Sequence, residues 1–286
     1  MSEFPRTIVG GVSVSRLIVG TNWFLGYSHT SLAKDRFIKG YQTRERIAEV
    51  LATFLAQGVD TVMGPMSPLL VEAVREAEQR VGRQMILVLT PAFNLLPRSD
   101  SKPRTLWDSE PEQAFDQCRA MGATFCLPHQ CVTDALVDKR AATIRDLDRF
   151  TKMIRERGMI PGLSTHMPEV VKYADAMGAD VETYIQIYNA AGFLMQIETD
   201  WVMRIIRDAK KPVMTIKPLA AGRLLPAVGL AFVWATIRDQ DMVTIGTTTP
   251  DEAKEVIDLS LDFLSRRMPS NELQFTRSKR SLIDAG

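Results

Sequence analysis

Three histidines, His29, His129 and His166, and one lysine, Lys217, are the residues of this chain best suited to chemistry near neutral pH. Imidazole can take or give a proton there, and it is a common ligand for divalent metals. Taken together, His29, His129 and His166 match a three-imidazole set, which would make a divalent metal the cofactor. No HxH or HxxxH spacing accompanies them. Two other roles stay open: His129 or His166 as a general base, or both as hydrogen-bonded residues lining a pocket. Lys217 precedes Pro218. A lysine held in an apolar pocket can lose its charge and form a Schiff base with a carbonyl. The alternative is a structural lysine paired with a carboxylate or with an anionic substrate group. Cys131, two residues after His129, is a candidate thiolate, whereas Cys126 is expected in strand–helix packing. Glu198 and Asp200 can serve as acid, base or ligand, and Asp200 equally suits the N-cap of a helix starting at Trp201.

Groups so far apart in the chain need a scaffold that gathers them. Short Val/Ile/Leu-rich runs alternate with longer segments of helical period. Strands are expected at residues 15–20, 59–63, 85–90, 124–127, 160–164, 183–188, 213–217 and 242–246. Helices are expected at 44–56, 69–81, 111–121, 142–157, 169–177, 200–209 and 250–264, the last capped by Thr249 with Pro250 at its first position. Eight β-then-α units imply parallel strands with right-handed crossovers. An open doubly wound sheet would show a Gly-rich turn after its first strand. Residues 22–40 form no such turn, so the fold class is α/β, a closed (β/α)8 TIM barrel. One domain over 1–286 is expected, with the barrel over about 9–264. The polar, basic tail at 268–286 reads as a solvated or docked extension, or as a lid or oligomer contact.

Barrel enzymes build their sites at the C-terminal ends of the strands. Here those ends carry Asn22, Pro65, Thr90, His129, His166, Asn189, Lys217 and Thr247. His129 and His166 follow neighbouring strands and are expected to line one pocket. The segment 22–40 reads as a long loop whose Trp23, Phe24, Tyr27 and His29 cover the mouth.

Composition narrows the partners to small molecules. Lys and Arg total 35 and Asp and Glu total 34, which gives no electrostatic case for nucleic acid or for an anionic membrane. No apolar run reaches the roughly 20 residues of a transmembrane helix. Three cysteines without framework spacing and an N-terminus without a signal-peptide layout point to the cytoplasm. A homo-oligomer is left open.

A further set of segments resembles the aldo/keto reductases. VGGVSVSRLIVGTNWFLG at 9–26 is similar to that family's N-terminal hairpin and first strand, and RIAEVLATFLAQGVD at 46–60 to its first helix. GMIPGLSTHMPEVV at 158–171 resembles the fifth strand and the polar turn after it. YIQIYNAAG at 184–192 resembles the sixth-strand Q-x-x-Y-N segment. IKPLAAGRL at 216–224 resembles the seventh strand, and VTIGTTTPDEAKEVI at 243–257 the eighth strand and its helix. The resemblance implies reduction of a carbonyl with NAD(P), with Ser164, Gln186, Asn189 and Thr247 as cofactor-binding residues. It also implies a catalytic Asp, Tyr and Lys, but Met63, Pro68 and Pro91 stand at those places, and of the set only His129 matches. Ile216 stands where an aromatic would stack on the nicotinamide, and no basic residue opens the last helix to hold a 2′-phosphate. Met and Pro cannot relay a proton, so ordinary NADPH-dependent carbonyl reduction is not expected. The chain reads as an enzyme of this type acting on a small carbonyl-bearing or sugar-like metabolite, with His129, His166 and Lys217 as catalytic candidates. A redox-free, metal-assisted isomerase, epimerase or lyase and an inactive metabolite-binding regulator are the alternatives.

Overall fold

The computed structural model describes residues 4–95 and 110–269. The tail expected at 268–286 lies outside the described residues beyond Pro269. An antiparallel hairpin, Arg6–Val9 with Val12–Ser15, comes first. Eight parallel strand positions follow: Leu17–Gly20, Thr61–Gly64, Ile86–Leu89, Phe125–Cys126, Ile160–Pro161 continued by Leu163–Ser164, Tyr184–Ile187, Val213–Ile216 and Met242–Ile245.

The fifth position is one strand broken at Gly162. Its first half pairs with the fourth strand and its second half with the sixth, while the eighth strand pairs with the first. The ladder is therefore closed, as expected for a TIM barrel. Chemistry accounts for the break. Pro161 has no amide hydrogen to donate, and a Cβ on Gly162 would stand 2.8 Å from both Leu127 Cγ and the Thr183 carbonyl oxygen.

Alternate residues of the strands fill the interior: Ile18, Met63, Val88, Phe125, Ile185, Met214 and Met242. Val9 and Val14 of the hairpin join that inner cluster, so the hairpin plugs the end of the barrel opposite the candidate site. The outward residues, among them Val19, Val62, Leu87, Cys126, Tyr184 and Val243, pack under the helices. Cys126 thus lies in strand–helix packing, as its position suggested. Asp241, fully buried, ties the seventh and eighth strands together. It accepts the backbone N–H of Val213 at 2.9 Å and forms a 2.7 Å ion pair with Arg238.

The helices Arg44–Ala56, Glu169–Met177 and Pro250–Leu264 occupy the expected spans. Thr249 caps the last, accepting the Glu252 N–H at 3.2 Å, with Pro250 at the first position. Four expectations need correction. Residues 22–40 are not a loop but two helices, Asn22–Leu25 and Leu32–Tyr41. The helix expected at 142–157 begins only at Leu147, because positive φ at Ala142 and Asp146 turns the chain through a Val137–Asp138/Thr143–Ile144 hairpin first. The helix placed at 200–209 begins at Thr199, so Asp200 lies in its first turn and is not its cap. The helix Pro226–Thr236 was not expected, since its apolar composition carries no period to read.

Candidate functional site

The C-terminal ends of the strands open into a cavity of about 1230 Å³. His29, His129, His166 and Lys217 all line it, as do Ser164 and Thr247. All three histidines of the chain therefore face one space, and the expected convergence of His129 and His166 is observed. Met63, Ile185 and Ile216 form the apolar floor.

Each polar group is held by a local device. His129 leaves the fourth strand with its backbone N–H donated to the Pro91 carbonyl at 2.8 Å. Its Nδ1 accepts the Cys131 N–H at 3.4 Å and lies 3.1 Å from Cys131 Sγ. Burial pushes the Cys131 thiol upward, so the sulfur is a thiol beside a neutral ring and does not fit the thiolate considered above. His166 follows the broken fifth strand, and its N–H donates to Asp134 Oδ2 at 3.1 Å. Thr165 Oγ1 donates to the other oxygen of Asp134 at 2.5 Å. Asp134 was not singled out from sequence because it lies 32 residues from His166 on a short 3-10 turn.

Lys217 owes its place to the backbone. Ile216 faces the interior, so continued alternation would send the next side chain outward. Lys217 instead adopts φ 62°, a left-handed conformation, and both residues line the cavity. Its Nζ lies 3.3 Å from His29 Nε2. His29 Nδ1 lies 3.0 Å from the Tyr27 carbonyl, which accepts only, so Nδ1 carries the proton and Nε2 is the acceptor of the lysine N–H.

The electrostatics follow from this crowding. Burial lowers Lys217 to about 8. Burial first, then the charges on Lys217, His129 and His29, lowers His166 to about 4. His129 and His29 are lowered for the same two leading reasons, burial and Lys217. The mouth therefore presents three neutral imidazoles around one weakly basic amine at pH 7.

A lid covers the opening. Ser31 caps Leu32–Tyr41 by accepting the Lys34 N–H. Ser28 donates both its N–H and its hydroxyl to Asp35, and Gln42 donates to the Thr248 carbonyl at 3.0 Å. Trp23, Tyr27, Lys34 and Phe37 line the cavity from this side, so the segment covers the mouth as expected, although as helices.

Four assignments do not fit the geometry. Gln186 is fully buried but does not line the cavity. It lies between Tyr184 and Tyr188, which pack in the outer layer, and only Ile187 separates it from Tyr188; the residue three before Tyr188 is Ile185, which does face the cavity. Asn189 is taken up by a turn, accepting the Phe193 N–H at 2.8 Å and donating to the Phe193 carbonyl at 3.1 Å. Glu198 and Asp200 do not line the cavity. Finally, among the described residues no three His, Cys, Asp or Glu side chains are grouped to hold a metal ion. His29 points its acceptor nitrogen at a cationic amine instead, so the set His29, His129 and His166 does not fit a metal.

The phosphate position that the resemblance implies for a nicotinamide nucleotide is altered. The turn before the last helix is occupied by a carboxylate: Glu252 Oε2 accepts the Thr248 N–H at 2.6 Å and its hydroxyl at 2.7 Å. A phosphate would have to displace that anion from the helix N-terminus. Ser164 and Thr247 do line the cavity, and Thr247 Oγ1 is buried without a hydrogen-bond partner among the described residues.

Comparison with known proteins places the architecture. No protein-family pattern matches the chain, and no curated protein sequence matches it. Solved structures do. A putative aldo-keto reductase from Pseudomonas aeruginosa superposes with a TM-score of 0.62 at 14% identity, over 91% of this chain and 96% of that one. A glycerol dehydrogenase from Gluconobacter oxydans gives 0.56 at 13%, over 95% and 98%. An aldose reductase from Giardia lamblia gives 0.52 at 12%, over 99% and 92%. The chain has the fold of the aldo-keto reductases. No helix among the described residues is long and apolar enough to cross a membrane.

Proposed function

We propose that this protein is an enzyme acting on a small carbonyl-bearing or sugar-like metabolite, bound in the strand-end cavity and transformed without hydride transfer from NADPH. The observation that carries the proposal is the grouping of Lys217, His129 and His166 on one cavity whose floor is Met63, Ile185 and Ile216. Imidazole N–H groups and a lysine ammonium are donors suited to carbonyl and hydroxyl oxygens, while the apolar floor excludes water and strengthens those bonds. Neutral imidazoles can also take a proton from carbon or oxygen. The fold supports the substrate class, because glycerol dehydrogenase and aldose reductase name polyol and sugar chemistry in barrels of the same architecture.

The test has two arms. Small aldoses, ketoses and 2-oxo acids are incubated with the purified protein and followed by proton NMR, and in parallel NADPH consumption is followed with the same panel. Turnover of at least one compound is expected, with NADPH-linked reduction of generic aldehydes about 100- to 10,000-fold below that of an enzyme with a positioned acid. Rapid NADPH consumption would overturn the redox-free reading. Saturable binding with no turnover would assign the cavity to a metabolite-binding regulator.

A further inference from the structure

We propose that Lys217 is a Schiff-base nucleophile for an aldehyde, ketone or 2-oxo acid, with His29 of the lid as the acceptor that frees its amine. The inference rests on the functional reading above and names the covalent form the substrate takes.

Three independent features carry it. The first is placement: a left-handed residue at the end of the seventh strand brings the amine into the cavity, over an apolar floor. The second is the partner. Among the described residues Lys217 forms no ion pair, and its Nζ instead meets a neutral acceptor, His29 Nε2, at 3.3 Å. A structural lysine at such depth is ordinarily matched by a carboxylate. The Tyr27 carbonyl holds His29 in the one tautomer able to accept that proton. The third is the surroundings. The lysine charge acts on imidazoles from three elements, all held below their ordinary range: His29 in the lid, His129 after the fourth strand and His166 after the fifth. Lys34 of the lid helix and Glu252 and Glu255 of the last helix also line the mouth, and Asp35, held by Ser28, acts on His29 through its charge.

The step balances. The Lys217 ammonium gives a proton to His29 Nε2, and the free amine adds to the carbonyl carbon. One N–H proton moves to the former carbonyl oxygen, giving a carbinolamine. The His29 imidazolium then protonates that hydroxyl, water leaves, and the nitrogen lone pair forms the C=N bond. The net change converts one carbonyl and one ammonium into one protonated imine and one water, with no oxidant, reductant or metal. The iminium withdraws electrons from the adjacent carbon, and His129 or His166, both neutral, can accept a proton released there.

The amine of Lys217, lowered to about 8, is free at pH 7.5 roughly 200-fold more often than an ordinary lysine near 10.4. Reductive trapping reads this directly. The full-length protein is treated with limiting dihydroxyacetone or pyruvate and cyanoborohydride, and adducts are mapped by peptide mass spectrometry. Lys217 is expected to be labelled at least about tenfold faster than the exposed Lys152 and Lys254, with a pH midpoint near 8. His29→Ala is expected to slow labelling of Lys217 at least about tenfold and leave the surface lysines unchanged. Lys217→Arg should abolish the specific adduct, and circular dichroism checks its fold. Adducts distributed by exposure alone, or Lys217 labelling indifferent to His29→Ala, overturn the proposal. Turnover of a carbonyl metabolite without labelling of Lys217 overturns the Schiff base and leaves the functional reading standing. Specific labelling without turnover does the reverse.

Discussion

Replacing His166 with glutamine should flatten the acid limb of the protein's stability curve. In the fold His166 protonates only at about 4, because its ring is part-buried and faces the charge of Lys217. In the unfolded chain it protonates near 6.5. As pH falls through that window the unfolded state binds the extra proton first, so stability present above pH 6.5 is lost on the way to about 4. The gap, at about 1.4 kcal/mol per pH unit, corresponds to about 3 kcal/mol. Water reaching the exposed rim of the ring screens part of it, leaving an expectation of about 2 kcal/mol. Urea denaturation at about pH 7 and about pH 4.5 measures the loss in wild type and in His166→Gln, and the variant should lose about 2 kcal/mol less. His29 and His129 shift in the same direction in both proteins, so the difference reads His166 together with its electrostatic coupling to them. Equal losses, or an imidazole NMR titration of His166 centred near 6.5, would refute the reasoning. Lys217→Met should move that titration upward by removing the nearest charge.

Other substitutions probe the frame. Asp241→Ala leaves Arg238 and the Val213 N–H without their buried partner, and should cost about 3–5 kcal/mol in chemical denaturation. Gly162→Ala forces a methyl group against Leu127 and the Thr183 carbonyl, and should cost about 1–3 kcal/mol while leaving ligand affinity within a fewfold. Phe37 lies exposed on the lid and lines the cavity, so Phe37→Ala should weaken metabolite binding in calorimetry with stability changed by less than about 0.5 kcal/mol.

The barrel was legible because its signals are local. The helix Arg44–Ala56 has a threonine cap and six buried apolar residues at helical spacing, and most strands are short runs rich in β-branched and aliphatic residues. Strand ends locate the mouth, which is why residue order alone groups His129, His166 and Lys217. The lid helix Leu32–Tyr41 was harder, since Ile38 alone is buried and few apolar positions mark a packed face; the cap at Ser31 was the available clue. The helix Pro226–Thr236 failed for the opposite reason, being apolar around its circumference, with Pro226 as its one boundary mark. Gln186 illustrates the limit on the site. In a strand a displacement by one residue exchanges the two faces, so a motif match one position out of register puts the amide in the outer layer and Ile185 in the cavity. The Lys217–His29 contact spans 188 residues and depends on two left-handed backbones, neither of which residue types alone disclose.

The left-handed turn at Lys217 also bears on how variants of this protein would fare under selection. A non-glycine residue at φ 62° carries a conformational cost of about 1 kcal/mol, which glycine would largely relieve. A library of variants at this position, screened only for thermal stability or expression, should therefore enrich glycine and discard lysine. Screened for use of a carbonyl compound, the same library should restore lysine despite the strain. The amino acid that wins at position 217 would report which property the screen rewards, whether or not the metabolite has been identified.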